Sequence, residues 1–538
     1  MPELQLLSNG TYHVLITAGG HGYSRWGGMA ITRWRADKVI DDGGARCHVR
    51  DDTPQSKGLP ASQEIATHTV VAVSIEDAVE LRRMVITNTG SQRRNLSATS
   101  YAEIVLSPPA TDSTHPAFSK LFIETTVEPQ LQAILATRRP STSNDPTPWF
   151  FHTVLISHST TGPLTFETDR MRFIGRGRGA GNPQALDEGA ELSGTTGPVL
   201  DAVAAIRVPF ALEPGESITI DWLGGIANTR QTCVALLRKV RDTAVVTKIL
   251  DESADYQRKL LCSIETNGAD ALTFQRMASS LVYATQQLRA DSNVIALNDR
   301  GQSSLWGFGI SGDLPIVLLR LNGPDSSTIV KQMAHCHAYW KGFGLRCELA
   351  VLCAASPEGK RSLFDQVRQQ MEVEVGTDGF GKPGGVFVLD DKGMDAGDRI
   401  LLQSVARIVV TDAQTLAEQI PASPDCCAEP TANNKPDEAP IFEVAHSAAP
   451  LDLLDANGFG GFSPDGREYV ITTSAARMTP APWVNVIANP DFGTLVSESG
   501  SATTWSENAH EFRLTPWSND PVSDPNTEAF YIRDEASG

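Results

Sequence analysis

The sequence predicts a mainly β fold with an α/β connector: a large antiparallel β-sandwich, a helical and small α/β linker region, and the start of a second, truncated β-sandwich. Three observations predict it. Short β-branched and aromatic runs broken by turn residues fill residues 1 to about 230. Helical periodicity then takes over, followed by alternating strand and helix patterns to about residue 420. Strand-like segments return after a Pro-rich stretch and continue to the end.

The first module rests on TVVAVSI, LRRMVITNTG, YAEIVLS, WFFHTVLIS and SITIDWLGG, which read as strands between Gly, Pro and Asn turns. Residues 231–317 form a helical connector, because Cys233 to Leu261 and Ala271 to Ala290 carry apolar residues three and four apart. Residues 318–420 read as a small α/β unit: CELAVLCAA, SLFDQVRQQME, GGVFVLDD, GDRILLQSVA and RIVVTD alternate strand and helix. Residues 421–450 are rich in Pro, Ala, Asp and Glu without a sustained apolar period, as in a linker. Residues 451–538 open with NGFGGFSPDGREYVITTS, a Gly-rich and aromatic entry into strands.

An internal repeat ties the two ends together. Thr32, Trp34, Asp37, Val39, Asp41, Arg50 and Asp51 align without a gap with Thr515, Trp517, Asp520, Val522, Asp524, Arg533 and Asp534. Each copy has an aromatic residue among turn formers upstream, in YSRWGG and TTWSEN, and each ends in an apparent strand followed by Arg-Asp. Two sandwich modules are expected. The second lacks later segments to complete it, which predicts an unpaired sheet edge and an exposed apolar face.

Bulk properties exclude several function classes. With 538 residues the chain can bury several cores, and its net charge of −19 argues against a nucleic-acid partner. A neutral sugar remains compatible. No apolar run reaches the ~18 residues of a membrane span, so no membrane insertion is expected. The start MPELQLLSNGTYHV carries no secretory pattern, and the expected location is the cytoplasm. Eight cysteines without a CxxC pair, two of them the adjacent Cys426 and Cys427, read as free thiols.

The segment from NGFGGFSPDGREYVI through PAPWVNVIANPDFGTLVSESGSATTWSENAHEFRLTPWSNDPVSDPNTEAFYIRDE resembles the N-terminal sandwich of a phosphorylase family. That family, of glycoside hydrolase 94 type, includes cellobiose phosphorylase and cyclic β-1,2-glucan synthase. LSNGTYHVLITAGGHGYSRWGGMAITRWRAD and RGQSSLWGFGISGDLPIVLLRL look like the central part of the cyclic β-1,2-glucan synthases, so the likeness covers nearly the whole chain. It implies a supersandwich fold and a parent with a membrane-embedded glycosyltransferase region followed by a phosphorylase-like region. In that family a single carboxylic acid on an (α/α)6 barrel protonates the leaving oxygen while phosphate attacks with inversion. The barrel follows the sandwich, and no residue here is assigned that role. The expectation is therefore a non-catalytic fragment that binds a β-glucan oligosaccharide or polysaccharide and supports a missing barrel, without cofactor or metal. Self-association through the second sandwich is a further expectation. Two alternatives are an active inverting β-glucan phosphorylase with its acid in the connector, and an interaction module for a separate catalytic chain.

Candidate carbohydrate contacts follow from side-chain chemistry, since aromatic faces stack on sugar C–H surfaces and Arg donates planar hydrogen bonds to hydroxyls. The loop Gly19 to Gly28 presents Tyr23, Arg25 and Trp26, with a packed sandwich-edge turn as the plainer reading. Trp34, Trp505 and Trp517 are candidates that as strand residues also suit a core. Arg300, Gln302, Trp306 and Asp313 suit either a binding loop or a domain junction. GTDGFGKP lacks the Ser or Thr of a phosphate loop and precedes a strand rather than a helix, which excludes a nucleotide site. His335 and His337 fall on different faces of an expected helix and suit packing better than metal. Arg176 and Arg178 read as part of a mobile surface loop.

Overall fold

The computed structural model describes residues 4–37, 43–53, 64–114, 116–142, 145, 147–323, 326–354, 362–420, 452–474 and 477–535. The expected linker, including Cys426 and Cys427, lies outside the described residues, as do Val39 and Asp41 of the repeat.

Among the described residues, fourteen strands build the first module. They are β1 (Leu4–Ser8), β2 (Tyr12–Thr17), β3 (Gly22–Trp26), β4 (Met29–Thr32), β5 (Arg46–Asp51), β6 (Ile65–Val73) and β7 (Val79–Asn88). Then follow β8 (Arg94–Ser107), β9 (Ile123–Glu128), β10 (Ala133–Arg138), β11 (Trp149–Ile156), β12 (Thr165–Asp169), β13 (Ala202–Leu212) and β14 (Ser217–Ala227). One sheet has the order β1-β2-β3-β4-β8-β13-β12, with β5 also paired to β8; the other runs β6-β7-β14-β11-β10-β9. All pairings in both are antiparallel.

Each sheet is covered on both faces over much of its area. Between them lies a core that includes Ile31, Ile104, Ile206, Ile220 and Trp222. Behind the second sheet, Cys233, Leu237 and Val246 of helices Arg230–Lys239 and Thr243–Glu252 pack on Leu81, Leu135, Phe151 and Leu223. Behind the first, Leu4, Leu6, Leu15 and Tyr23 join the core of the α/β unit with Phe274, Met277 and Trp340. Coverage on two faces explains why β13, AVAAIRVPFAL, is apolar along most of its length instead of alternating.

The stretch that reads as one helix, Cys233 to Leu261, is three. Asp242 accepts a hydrogen bond from the Ala244 amide and caps a new helix, and Asp255–Ser263 forms the third. Helix Gly268–Tyr283 stops short of the expected Ala290, because Ala284 adopts a left-handed conformation at φ 50°.

The α/β unit has four parallel strands, β15 (Ile316–Leu321), β16 (Glu348–Cys353), β17 (Val386–Asp390) and β18 (Ile408–Thr411), in the order β17-β16-β15-β18. Helices Ser327–Gly342, Leu363–Val375 and Ala396–Val405 connect them.

Two small antiparallel sheets follow, β19 (Gly460–Phe462) with β20 (Tyr469–Ile471), and β21 (Val484–Ala488), β22 (Phe492–Ser497) and β23 (Ala502–Ser506). Val484, Val486 and Ile487 of the edge strand β21 are exposed. The repeat departs from expectation at its end: Arg46–Asp51 is a strand, whereas the described residues aligned with it form none. β5 obtains its ladder from the long neighbour β8, and the second copy has no such neighbour among the described residues. Instead that copy docks on the first module, where Val522 is buried with Tyr101, Phe173 and Val203, and its carbonyl accepts from the Gly177 amide at 2.7 Å.

Candidate functional site

Two of the concavities among the described residues adjoin the sandwich. The first, a cavity of about 470 Å³, opens between the sheets near the exposed Gly20 and Thr69. Its wall follows from strand register. Arg82 sits directly across from Trp222, and Glu80 across from Gly224, which in turn faces His152. Side chains opposite one another in antiparallel strands share a face, so Glu80, Arg82, Trp222 and His152 all point between the sheets. Gly224 supplies no side chain, and space remains beside its neighbours.

Within the wall Arg82 is paired with Glu80, and Arg46 and His48 also line the cavity. Arg82 donates through Nε to Glu80 at 2.5 Å, and through Nη1 to the carbonyls of Gly20 and Ala45 at 3.3 and 3.4 Å. Ser24 donates to the other Glu80 oxygen. Burial, reinforced by the Arg82 cation, lowers His152 to about 4 and keeps it neutral, while its Nε2 meets Ser100 Oγ at 2.8 Å. The His152 and Trp222 rings stack at 6.1 Å with planes 13° apart. Arg82 Nη2 is buried without a hydrogen-bond partner, and the Trp222 indole N–H has only the Cys47 sulfur beside it.

The second concavity, about 620 Å³, is an open cleft at the seam between the first module and the C-terminal strands. Arg35, Ser113 and Phe118 line it from one side, and Arg513, Trp517 and Asn519 from the other. A buried charge network braces the seam. Arg33 pairs with Glu103 at 2.6 Å and Asp112 at 2.7 Å, while Arg170 reaches Glu103 at 3.0 Å and Asp520 at 2.8 Å. Lys120 meets Asp201 at 2.5 Å within the same cluster. The two repeat copies thus meet around one network, with Trp517 and Arg35 in the cleft beside it.

The other residues singled out in the sequence lie elsewhere. Tyr23 and Arg25 alternate with Ser24 on β3 and face away from the interior cavity. Tyr23 is 6% exposed in the α/β core, 5.9 Å from Trp34, and Arg25 lies over its ring at 4.0 Å. Trp34 is half-buried and meets Tyr283 edge-on at 5.9 Å. Trp26 packs against the sandwich core. Arg300 is tied to Asp395 at 2.6 Å and to Asp398. Gln302 donates to the Ser311 carbonyl at 2.9 Å and approaches Asp313 at 3.4 Å. Trp306, 65% exposed, donates to the same carbonyl at 3.4 Å. Asp313 lies in the bend before β15, its amide donating to Ser311 Oγ at 3.2 Å. Trp505 is half-buried on β23, facing the Gly493 backbone.

His335 bonds Thr266 at 2.9 Å and Glu374 at 3.0 Å, while His337 bonds the carbonyls of Cys347 and Gly384. Thr377–Gly379 is a short 3-10 turn that leads to β17, with no helix to cradle phosphate. The loop with Arg176 is anchored, contrary to the mobile reading: Arg176 pairs with Glu498 at 2.9 Å and Asp524 at 3.3 Å. Glu498 is almost fully buried, and a buried carboxylate requires such a partner.

Sequence reasoning did not single out Glu80, Arg82, His152 or Trp222. A signal was present. In VELRRMVITN, Glu80 and Arg82 share the parity of Met84 and Ile86, so the strand places two charges on its apolar face.

Comparison with known proteins places this geometry. Residues 1–58, 59–243 and 467–538 match the family described as glycosyl hydrolase 94, supersandwich domain. The whole chain is 30% identical to a cyclic β-(1,2)-glucan synthase of Rhizobium meliloti, of which it spans 20%. A third of the chain, 33%, is 27% identical to 22% of a solabiose phosphorylase of Paenibacillus borealis. Among solved structures, a polysaccharide lyase aligns over 44% of this chain and 34% of its own at 12% identity and a TM-score of 0.22. With the family model covering more than half of the residues, the chain belongs to the glycosyl hydrolase 94 supersandwich family.

Proposed function

We propose that this chain is a non-catalytic section of a cyclic β-1,2-glucan synthase-type protein, one that binds β-glucan and supports a catalytic domain located elsewhere in that protein. Full-length similarity to one fifth of the Rhizobium meliloti synthase supports the placement. On this reading the section works on the cytoplasmic side of the membrane; no helix among the described residues is long and apolar enough to cross one.

The observation that carries the binding reading is Trp517 on the wall of the open seam cleft, with Arg35 and Arg513 beside it. An aromatic face with flanking guanidinium donors suits a chain of neutral sugars, and an open cleft admits one. Linear β-1,2-glucans titrated into the purified chain should release or absorb heat. No heat with any β-glucan removes the binding reading.

One feature favours the alternative of an active phosphorylase. Burial pushes the Glu348 carboxyl up, the Gly384 backbone partly opposes this, and Asp313 adds to it. A raised carboxyl is what a general acid needs. Glu348 is nevertheless fully enclosed. A general acid must reach the leaving oxygen, so the non-catalytic reading is preferred. Release of sugar 1-phosphate from β-glucan and phosphate would reverse that preference.

A further inference from the structure

The cavity between the two sandwich sheets is separate from the seam cleft and is not absorbed by the reading above. It is lined by strands that also form the core between the two sheets, yet it holds two buried donors that find no oxygen acceptor, Arg82 Nη2 and Trp222 Nε1. Buried donors left unmade are costly, and a protein interior seldom keeps two of them in one register row without something to accept from them. The volume, about 470 Å³, falls in the ~300–1,000 Å³ range of small-molecule sites.

From the donors, the volume and the aromatic wall, we infer that this cavity is a binding site for a single neutral pyranose unit. The inference rests on the carbohydrate-binding reading for its ligand class and adds a second, distinct location. Three features set the chemistry. Glu80 holds Arg82 in place through Nε and leaves a fixed Nη2–H for a hydroxyl oxygen. The stacked Trp222 and His152 rings give an apolar wall for a sugar face. The buried Tyr12, Phe150 and Met84 add apolar lining, which suits one ring enclosed between the sheets better than a hydrated chain. Trp517 and this cavity would then read different lengths of the same polymer class.

Gly224 offers a direct way to fill the space. A Cβ there meets Phe150 no closer than 3.5 Å, an ordinary contact, so Gly224→Leu adds its branch to the cavity. Thr69→Trp, on the exposed stretch of β6 at the mouth, obstructs entry from outside and keeps the test usable if the leucine disturbs folding. The experiment is saturation-transfer NMR on the full chain with D-glucose, in the unaltered protein and in Gly224→Leu, Thr69→Trp and Trp517→Ala.

The expected result is transfer to D-glucose in the unaltered chain and in Trp517→Ala, with at least a fivefold loss in Thr69→Trp and in folded Gly224→Leu. No transfer to D-glucose in the unaltered chain overturns the inference. So does transfer that survives both cavity variants but disappears in Trp517→Ala, or displacement of D-glucose by inorganic phosphate. Calorimetry with β-1,2-glucan on the same variants separates the two readings, since heat that persists in Thr69→Trp leaves the seam reading standing when the cavity inference has failed.

Discussion

Arg170 grips Asp520 with two parallel hydrogen bonds, Nη1 to Oδ1 and Nη2 to Oδ2, each 2.8 Å long and joining residues 350 positions apart. A two-point pair of this kind fixes orientation as well as distance. It holds the second repeat copy against the first, and through it one wall of the seam cleft against the other. Arg170 also contacts Glu103 and Asp201, so the pair is one edge of a buried network and not an isolated surface bridge.

Asp520→Asn should therefore loosen the C-terminal strands from the sandwich. Removing one partner of a buried pair costs ~3–5 kcal/mol; the partial exposure of Asp520 and the two remaining partners of Arg170 reduce this to about 2 kcal/mol. Hydrogen exchange should quicken across residues 484–506 while the interior strands β8 and β13 keep their protection. Uniform protection across both regions would show that the pair does not hold the seam.

The network also fixes a pH dependence. Arg170 beside Asp520 holds that carboxyl below its ordinary value despite burial, and Arg170 and Arg33 do the same for Glu103. A folded value below the unfolded one gives stability that is present above the unfolded value and lost as pH falls through the folded one. Asp201, buried beside Glu103, is shifted upward and offsets part of this. Denaturation midpoints of the unaltered chain and Asp520→Asn should converge on acidification below about pH 4. A gap that stays constant to pH 3 contradicts the assignment.

His152 gives a second acid limb at higher pH. Its folded value, about 4, lies below the ordinary 6.5 because burial and Arg82 disfavour the imidazolium. The unfolded chain therefore binds the extra proton between these values, and stability falls as pH drops through that window. His152→Gln should flatten the loss between pH 6.5 and 4 relative to the unaltered chain. Equal slopes would place the protonated ring in a solvated setting.

Glu348 has the opposite sign. Its folded value is raised, so its contribution to stability declines as pH rises from the unfolded value towards the folded one. Glu348→Gln should stabilise the chain by ~1 kcal/mol at pH 8, where the native carboxyl is charged or costly to keep protonated, and by little near pH 4. Urea denaturation at the two pH values measures the difference. Destabilisation at pH 8 would mean that the carboxylate has a partner.

Strand-rich and helix-rich stretches were legible because burial on one or two faces leaves a period in the sequence. The breaks were less so. Nothing in the apolar spacing of Cys233 to Leu261 marks Asp242 as a helix cap, since a single Asp is tolerated within a helix. The repeat shows a sharper limit. Trp34 and Trp517 occupy the same place in the two copies, yet Trp34 is covered by Tyr283, a residue some 250 positions later, while Trp517 faces a cleft. Local pattern cannot specify a distant partner. On β3 the alternation was readable, but which parity faced a cavity depended on β7, β11 and β14, and so Ser24 lines it while Tyr23 and Arg25 do not.

The most direct test is a calorimetric titration of linear β-1,2-glucan into the unaltered chain and Trp517→Ala side by side. Loss of one stacking face of ~1–2 kcal/mol corresponds to roughly a tenfold weaker Kd. Binding is expected in the unaltered chain, with at least that loss in the variant. Equal affinity in the two proteins would contradict it.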